Sequence, residues 1–86
     1  MWYLYIVKCN DGMLYTGITT DVTERVKRHN QKKASRYTRI RVPVEPVYQE
    51  SHPTKSSALK RELQIKKWNK TEKLALINAT FKKPHK

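Results

Sequence analysis

Five side chains in this sequence have the chemistry to hydrolyse a phosphodiester together: Tyr5, Tyr15, Arg25, His29 and Glu62. Such a reaction needs a base for water, a cation facing the charge that develops on phosphorus, and help for the leaving oxygen. A phenol, with a free pKa of about 10, is a poor base alone, but a neighbouring guanidinium or divalent cation stabilises its phenolate. Glu62 falls at helical angles between Ala58, Leu59 and Ile65, inside an apolar stripe flanked by Lys60, Arg61, Lys66 and Lys67. An inward carboxylate costs on the order of several kcal/mol unless it is paired or holds a metal. Two partners fit: Lys66, one helical turn on, or a metal ion, which the burial and the phenols favour. One carboxylate suits a single Mg²⁺ (Mn²⁺ substituting), because that ion keeps most of its waters. A close metal pair calls for several carboxylates.

The elements that must position these groups are legible. Residues 3–9 and 14–19 read as strands joined by Asn10-Asp11-Gly12. A two-residue turn would split Leu4 and Ile6 from Leu14 and Ile18 onto opposite faces. A three-residue loop, with Gly12 left-handed as a bulge, pairs Cys9 with Met13 and puts all four on one face. Tyr5 then lies opposite Gly17 and Val7 opposite Tyr15. The two tyrosines become diagonal neighbours, roughly 7 Å or less apart at Cβ, and Gly17 leaves an opening beside both phenols.

Asp21, with Glu24 as its partner in a capping box, predicts a helix over about 22–31 that carries Val22 and Val26 inward. Arg25 and His29 are one turn apart on the border of that stripe and point toward the sheet together. Residues 32–42 read as basic and irregular. Pro43 and Pro46 bracket an edge strand at 44–50, since proline cannot serve a central ladder. A second helix is predicted from Thr54 to about Lys67, with Ala58, Leu59 and Ile65 inward. A third, capped by Asn69 with Glu72, carries Leu74, Ile77 and Phe81 inward. The fold class is α+β: a three-stranded antiparallel sheet flanked by about three helices, in the order β-β-α-β-α-α.

Composition sets the bounds. With 86 residues, the chain buries only about 60–65% of its unfolded surface and makes one small domain, read as 1–81 with a basic tail at 82–86. Lone Cys9 excludes an internal disulfide and a cysteine zinc site. The apolar start stops at Lys8, too short to span a bilayer and unlike a secretion signal, so a soluble, cytoplasmic protein is expected. Nineteen Lys and Arg stand against seven Asp and Glu, a net charge of +12. From Arg25 to Arg41 every charged side chain is basic. Such a field draws polyanions by steering and counterion release, which makes nucleic acid the expected partner, ahead of an anionic membrane surface. Lys32, Lys33, Arg36, Tyr37, Arg39 and Arg41 are the candidate contacts, Tyr37 as either loop packing or a base-stacking residue.

Tyr3-Leu4-Tyr5, Tyr15-Thr16-Gly17, Arg25, His29 and Glu62, together with Arg36-Tyr37-Thr38-Arg39 and Lys60-Arg61-Glu62, resemble the GIY-YIG endonuclease superfamily. The likeness covers nearly the whole chain and is closest to the small stand-alone bacterial branch (YhbQ- or YazA-like). The resemblance implies a three-stranded sheet with flanking helices and DNA cleavage with one divalent metal, Mg²⁺ or Mn²⁺. By position it makes Tyr5 or Tyr15 the base, with Tyr5 favoured and Tyr15 then on the scissile phosphate or the metal-bound water. It gives Arg25 the phosphate charge, His29 a place near the nucleophile, Glu62 the metal, and Asn78 the family's late asparagine. Tyr3 replaces the usual glycine and Thr16 the usual isoleucine, neither of which carries the chemistry. The extra DNA-binding domains of larger members are not seen, so a partner protein supplying specificity is one expectation. Two functions follow: an endonuclease for DNA, branched or single-stranded, or a non-catalytic module binding DNA or structured RNA. An inward Glu62 favours the first.

Overall fold

The computed structural model describes residues 1–81, in the order β1 (Trp2–Lys8), β2 (Leu14–Thr19), α1 (Val22–Asn30), α2 (Arg36–Arg39), β3 (Glu45–His52), α3 (Lys55–Lys66) and α4 (Lys70–Phe81). The sheet is antiparallel with strand order β2-β1-β3, so β1 is central and the proline-bearing β3 is an edge. The fold is the α+β arrangement expected, with one helix more than predicted.

The hairpin takes the register that the apolar pattern demands. Tyr5 pairs with Gly17 and Val7 with Tyr15, the Cys9 N–H donates to the Met13 carbonyl at 2.8 Å, and Gly12 sits at φ +86°, where L side chains are disfavoured. Alternation along β1 then builds two cores. Leu4 and Ile6 gather Tyr48, Ile65 and Ile77, with Leu14 and Ile18 beside them. On the other face Tyr5, Val7 and Cys9 gather Val22 and Val44, with Tyr15, Val26 and Tyr37 beside them.

The helices start where their caps dictate. Asp21 accepts from the Glu24 N–H at 3.0 Å and Thr54 from the Ser57 N–H at 3.1 Å. Asn69 and Glu72 exchange reciprocal bonds of 2.8 and 2.9 Å. α3 is stapled to β3 by Glu50, which bonds the Tyr48 hydroxyl, His52 Nε2 at 2.7 Å and Arg61 Nε at 3.0 Å; His52 Nδ1 in turn lies 2.6 Å from Ser57 Oγ. Burial alone would raise the Glu50 pKa, but the hydrogen bonds it accepts outweigh that and hold it below the ordinary carboxylate value.

Three expectations are corrected. Residues 36–39 are helical, capped by Ser35, whose Oγ accepts from the Tyr37 N–H at 3.0 Å; a single turn is too short to show a period. Leu59 and Leu74 are not inward: they are 42% and 39% exposed. α3 buries Ala58 and Ile65, and Leu59 sits about 100° around the helix from Ala58, beyond the stripe. α4 turns Ile77 in, with Leu76 half-buried, which leaves Leu74 on its flank. The inward placement of Phe81 and the tail at 82–86 lie outside the described side chains and residues.

Candidate active site

β1 delivers Tyr5 into the second core, where its side chain is fully enclosed. Its hydroxyl lies 2.8 Å from His29 Nε2. A β-carbon on Gly17 would stand 2.8 Å from the Tyr5 hydroxyl oxygen and 2.9 Å from Cζ; the opening left by the glycine is therefore filled by the phenol. Tyr15, half-buried on β2, presents its ring edge to His29 at 5.2 Å between centroids and lies 6.5 Å from the Tyr5 ring. His29 is itself fully buried on α1, one turn from Arg25.

The electrostatics of the pair are opposed. Burial pushes the Tyr5 phenol up to about 12, helped by Tyr15 and slightly by Glu62, while the charge and hydrogen bonding of Arg25 pull it down. Burial, and then the Arg25 charge, lower the His29 pKa below its ordinary value. Near neutral pH the site therefore holds a neutral phenol against a neutral imidazole, with a guanidinium poised to favour any negative charge formed on the phenol oxygen.

Glu62 reaches the same phenol electrostatically from α3. Its side chain is 13% exposed, and the Nζ of Lys66, whose side chain is 47% exposed, lies 3.0 Å from its Oε2. That is the one-turn ion pair weighed from the sequence. Lys66 also sits 5.8 Å above the Tyr15 ring. Among the described residues no group of three or more His, Cys, Asp and Glu could cage a metal. A hard ion held by one carboxylate and otherwise by water and substrate oxygens is what this donor set fits. Lys66 is exposed, so its hold on that carboxylate is partly screened by solvent.

The basic segment divides in two. Arg25, Arg28 and Lys33 line one concavity with Thr19, Asp21 and Glu24, and Lys32, Lys33, Arg36 and Arg39 line its neighbour. They share Lys33 and run from Arg25 onto α2. Arg28 was missed in the sequence; its spacing of three from Arg25 was the signal for a shared helical face. Tyr37 and Arg41 stand apart. Tyr37 stacks on Tyr15 at 5.9 Å, and the Arg41 guanidinium covers the Tyr37 ring at 4.2 Å. Arg41 also donates to the Tyr37 carbonyl at 2.8 Å and meets Asp11 at 3.0 Å. A base stacking on Tyr37 would have to displace one of these neighbours. Asn78 is exposed on α4, and no side-chain hydrogen bond joins it to the cluster among the described residues. Thr38, fully buried against His29 Nδ1 at 2.7 Å, was also missed. Its three-residue spacing from the cap Ser35 was the available clue.

The sequence profile of the GIY-YIG catalytic domain matches residues 1–75. A UPF0213 protein of Staphylococcus epidermidis (strain RP62A) is 57% identical over 75 residues, covering 87% of this chain and 92% of that protein. One from Staphylococcus aureus (strain N315) is 53% identical over the same shares. The solution structure of a UPF0213 protein from Bacillus halodurans matches with a TM-score of 0.60 at 39% identity, covering 92% of this chain and 85% of that one. A solution structure of a protein from E. faecalis gives 0.62 at 31% identity, covering 98% and 90%. No helix among the described residues is long and apolar enough to cross a membrane. Its hairpin tyrosines, arginine helix and later glutamate all fall within the matched span: the chain belongs to the GIY-YIG catalytic domains, a nuclease family, alongside the UPF0213 proteins.

Proposed function

We propose that the protein is a divalent-metal-dependent DNA endonuclease of low sequence specificity that acts on branched or single-stranded DNA. The observation that carries the reading is the Tyr5 hydroxyl placed 2.8 Å from His29 Nε2, with Arg25 and Glu62 acting electrostatically on the same phenol. Tyr5, enclosed in the free protein, takes the proton of the attacking water once bound DNA opens the site beside it, as its own proton passes to His29. Arg25 faces the charge that grows on the phosphate oxygens. Glu62 would hold Mg²⁺ or Mn²⁺, which when bound supplies positive charge to the phosphate and the leaving oxygen. Tyr15 orients the scissile phosphate beside Tyr5. The groove of Arg28, Lys32, Lys33, Arg36 and Arg39 binds the flanking backbone, and with so small a surface phosphate contacts outweigh base readout.

Cleavage of nicked, branched and single-stranded DNA with Mg²⁺ tests this, comparing the parent with Tyr5→Phe, Arg25→Ala and Glu62→Gln. Each variant is expected to lose at least about a hundredfold in single-turnover rate while keeping most of its DNA affinity. Equal cutting by Arg25→Ala and Glu62→Gln would remove the proposed site. The Glu62–Lys66 ion pair supports a second reading, a domain that binds DNA or structured RNA without turnover. That reading predicts salt-sensitive binding with no metal requirement and no product.

A further inference from the structure

The hydrogen bonds behind Tyr5 form a chain that ends outside the residues the nuclease reading uses. The Tyr5 hydroxyl lies 2.8 Å from His29 Nε2, His29 Nδ1 lies 2.7 Å from Thr38 Oγ1, and Thr38 Oγ1 donates to the Ser35 carbonyl at 3.4 Å. Tyr5, His29 and Thr38 are each 0% exposed, so no solvent competes for these protons.

Donor and acceptor counting gives the chain a direction. The Ser35 carbonyl, which also accepts from the Arg39 N–H at 3.0 Å, takes the single hydroxyl proton of Thr38 at 3.4 Å, and Oγ1 then turns a lone pair toward the ring. Nδ1 must then carry the imidazole proton, which leaves Nε2 bare and facing the phenol. The cation at the phenol, Arg25, has no acceptor to offer, so the Tyr5 proton is directed to Nε2. With the opposite tautomer, Nε2–H would point at the phenol oxygen and the ring could not receive its proton. α2 places these groups: Ser35 caps its first turn through Oγ and meets the Thr38 hydroxyl through its carbonyl.

We propose that Thr38 is a positioning residue that holds neutral His29 in the Nδ1–H tautomer, keeping Nε2 as the proton acceptor for Tyr5. The inference rests on Tyr5 being the base, and it separates the two tyrosines, since only Tyr5 has a directed acceptor. The step balances. Water loses a proton to the Tyr5 oxygen as its own oxygen bonds phosphorus, and the phenol proton moves to Nε2. The bond from phosphorus to the leaving oxygen breaks, that oxygen takes a proton from solvent, and the imidazolium passes its proton back to the Tyr5 oxygen, which releases one to water as product leaves.

The test reads the tautomer directly. Long-range ¹H–¹⁵N spectra of the labelled full chain at pH 7.5 report which His29 nitrogen is protonated, with no DNA or metal present. The parent is expected to show Nδ1–H, Thr38→Ser to retain it, and Thr38→Val to shift to a mixture or to Nε2–H. In single-turnover cleavage Thr38→Val is expected to lose at least about tenfold in rate at unchanged half-saturation, a wrong-tautomer effect, and Thr38→Ser to recover most of it. A parent in the Nε2–H form, or a valine variant with an unaltered tautomer, overturns the assignment. If no protein cleaves while the spectra follow the expected pattern, the tautomer role of Thr38 stands and the nuclease reading fails.

Discussion

Gly17→Ala is the most economical perturbation of the proposed site, because it adds one methyl group whose three nearest atoms all belong to Tyr5. The strand conformation at Gly17 lies outside the left-handed region, so alanine meets no backbone strain. By propensity alone the change would stabilise the strand by about 0.5–1 kcal/mol. Against this, the new carbon would lie 2.8 Å from the Tyr5 oxygen, 2.9 Å from Cζ and 3.1 Å from Cε1, where ordinary contacts are 3.4–4 Å. The phenol must retreat by roughly half an ångström or more, yet it is enclosed and backed by His29. Overpacking of this kind costs about 1–3 kcal/mol, so the net effect is a loss of about 0–2.5 kcal/mol. The functional effect is larger, since a shift of this order at a reacting atom costs about a hundredfold in rate. Denaturant unfolding, single-turnover cleavage and the His29 ring resonances measure the three consequences in one variant. A stabilised Gly17→Ala protein with unchanged cleavage and unchanged His29 signals would refute the close approach of Tyr5 to Gly17 and the role built on it.

Stability should fall at both pH extremes. The lowered His29 pKa makes its contribution complete above the unfolded histidine value of about 6.5 and lost as pH falls toward the folded value; His29→Gln should flatten the acid limb of a denaturant-melt series. The Tyr5 pKa, raised to about 12 from 10.0, is worth up to about 3 kcal/mol, present below pH 10 and lost as pH rises through 12. Tyr5→Phe should flatten that limb in part, the rest belonging to Tyr48, whose pKa is also raised. Thr16 Oγ1 is buried with no hydrogen-bond partner, so Thr16→Val should gain about 1 kcal/mol, a Tm rise of about 4–8 °C in calorimetry; no rise would mean the hydroxyl is satisfied. Neutralising Lys32, Lys33, Arg36 and Arg39 one at a time should each lower the slope of log K against log salt by about one ion's share, measured by fluorescence anisotropy on a labelled strand, and an unchanged slope would place the DNA path elsewhere.

Much of this architecture was written locally. The Asn10-Asp11-Gly12 loop and the apolar alternation on either side of it set the register, and through it the Tyr5–Gly17 and Val7–Tyr15 pairs. Asp21, Thr54 and Asn69 marked the helix starts by side-chain capping, a signal carried within four residues. Leu59 was misplaced because its helix presents a narrow buried stripe, and the Glu50–Arg61 bond that helps fix its rotation joins residues eleven apart. α2 escaped because its single turn is held by tertiary contacts, Thr38 against His29 and Tyr37 between Tyr15 and Arg41. The five chemistry-bearing residues were legible as types at spacings. Legibility stopped at the direction of their hydrogen bonds, which depends on Thr38 and Ser35.

One strand ties stability to chemistry here. β1 alternates Leu4 and Ile6 toward one core with Tyr5 and Val7 toward the other, so its register cannot slip by one residue without moving the aliphatic pair and the phenol to opposite faces together. The apolar face therefore defends the position of Tyr5 with the burial energy of Leu4 and Ile6, about 1.5–3 kcal/mol for each fully buried side chain. The helices repeat the device. α3 seats Ile65 in the aliphatic core while the Glu50 network holds Arg61, leaving Glu62 on the side nearer the phenols. α1 seats Val22 in the second core and turns His29 onto Tyr5. In a domain this small, site geometry is set by the same contacts that make the chain fold, so variants that loosen either core should lose the Tyr5–His29 alignment before they lose the sheet.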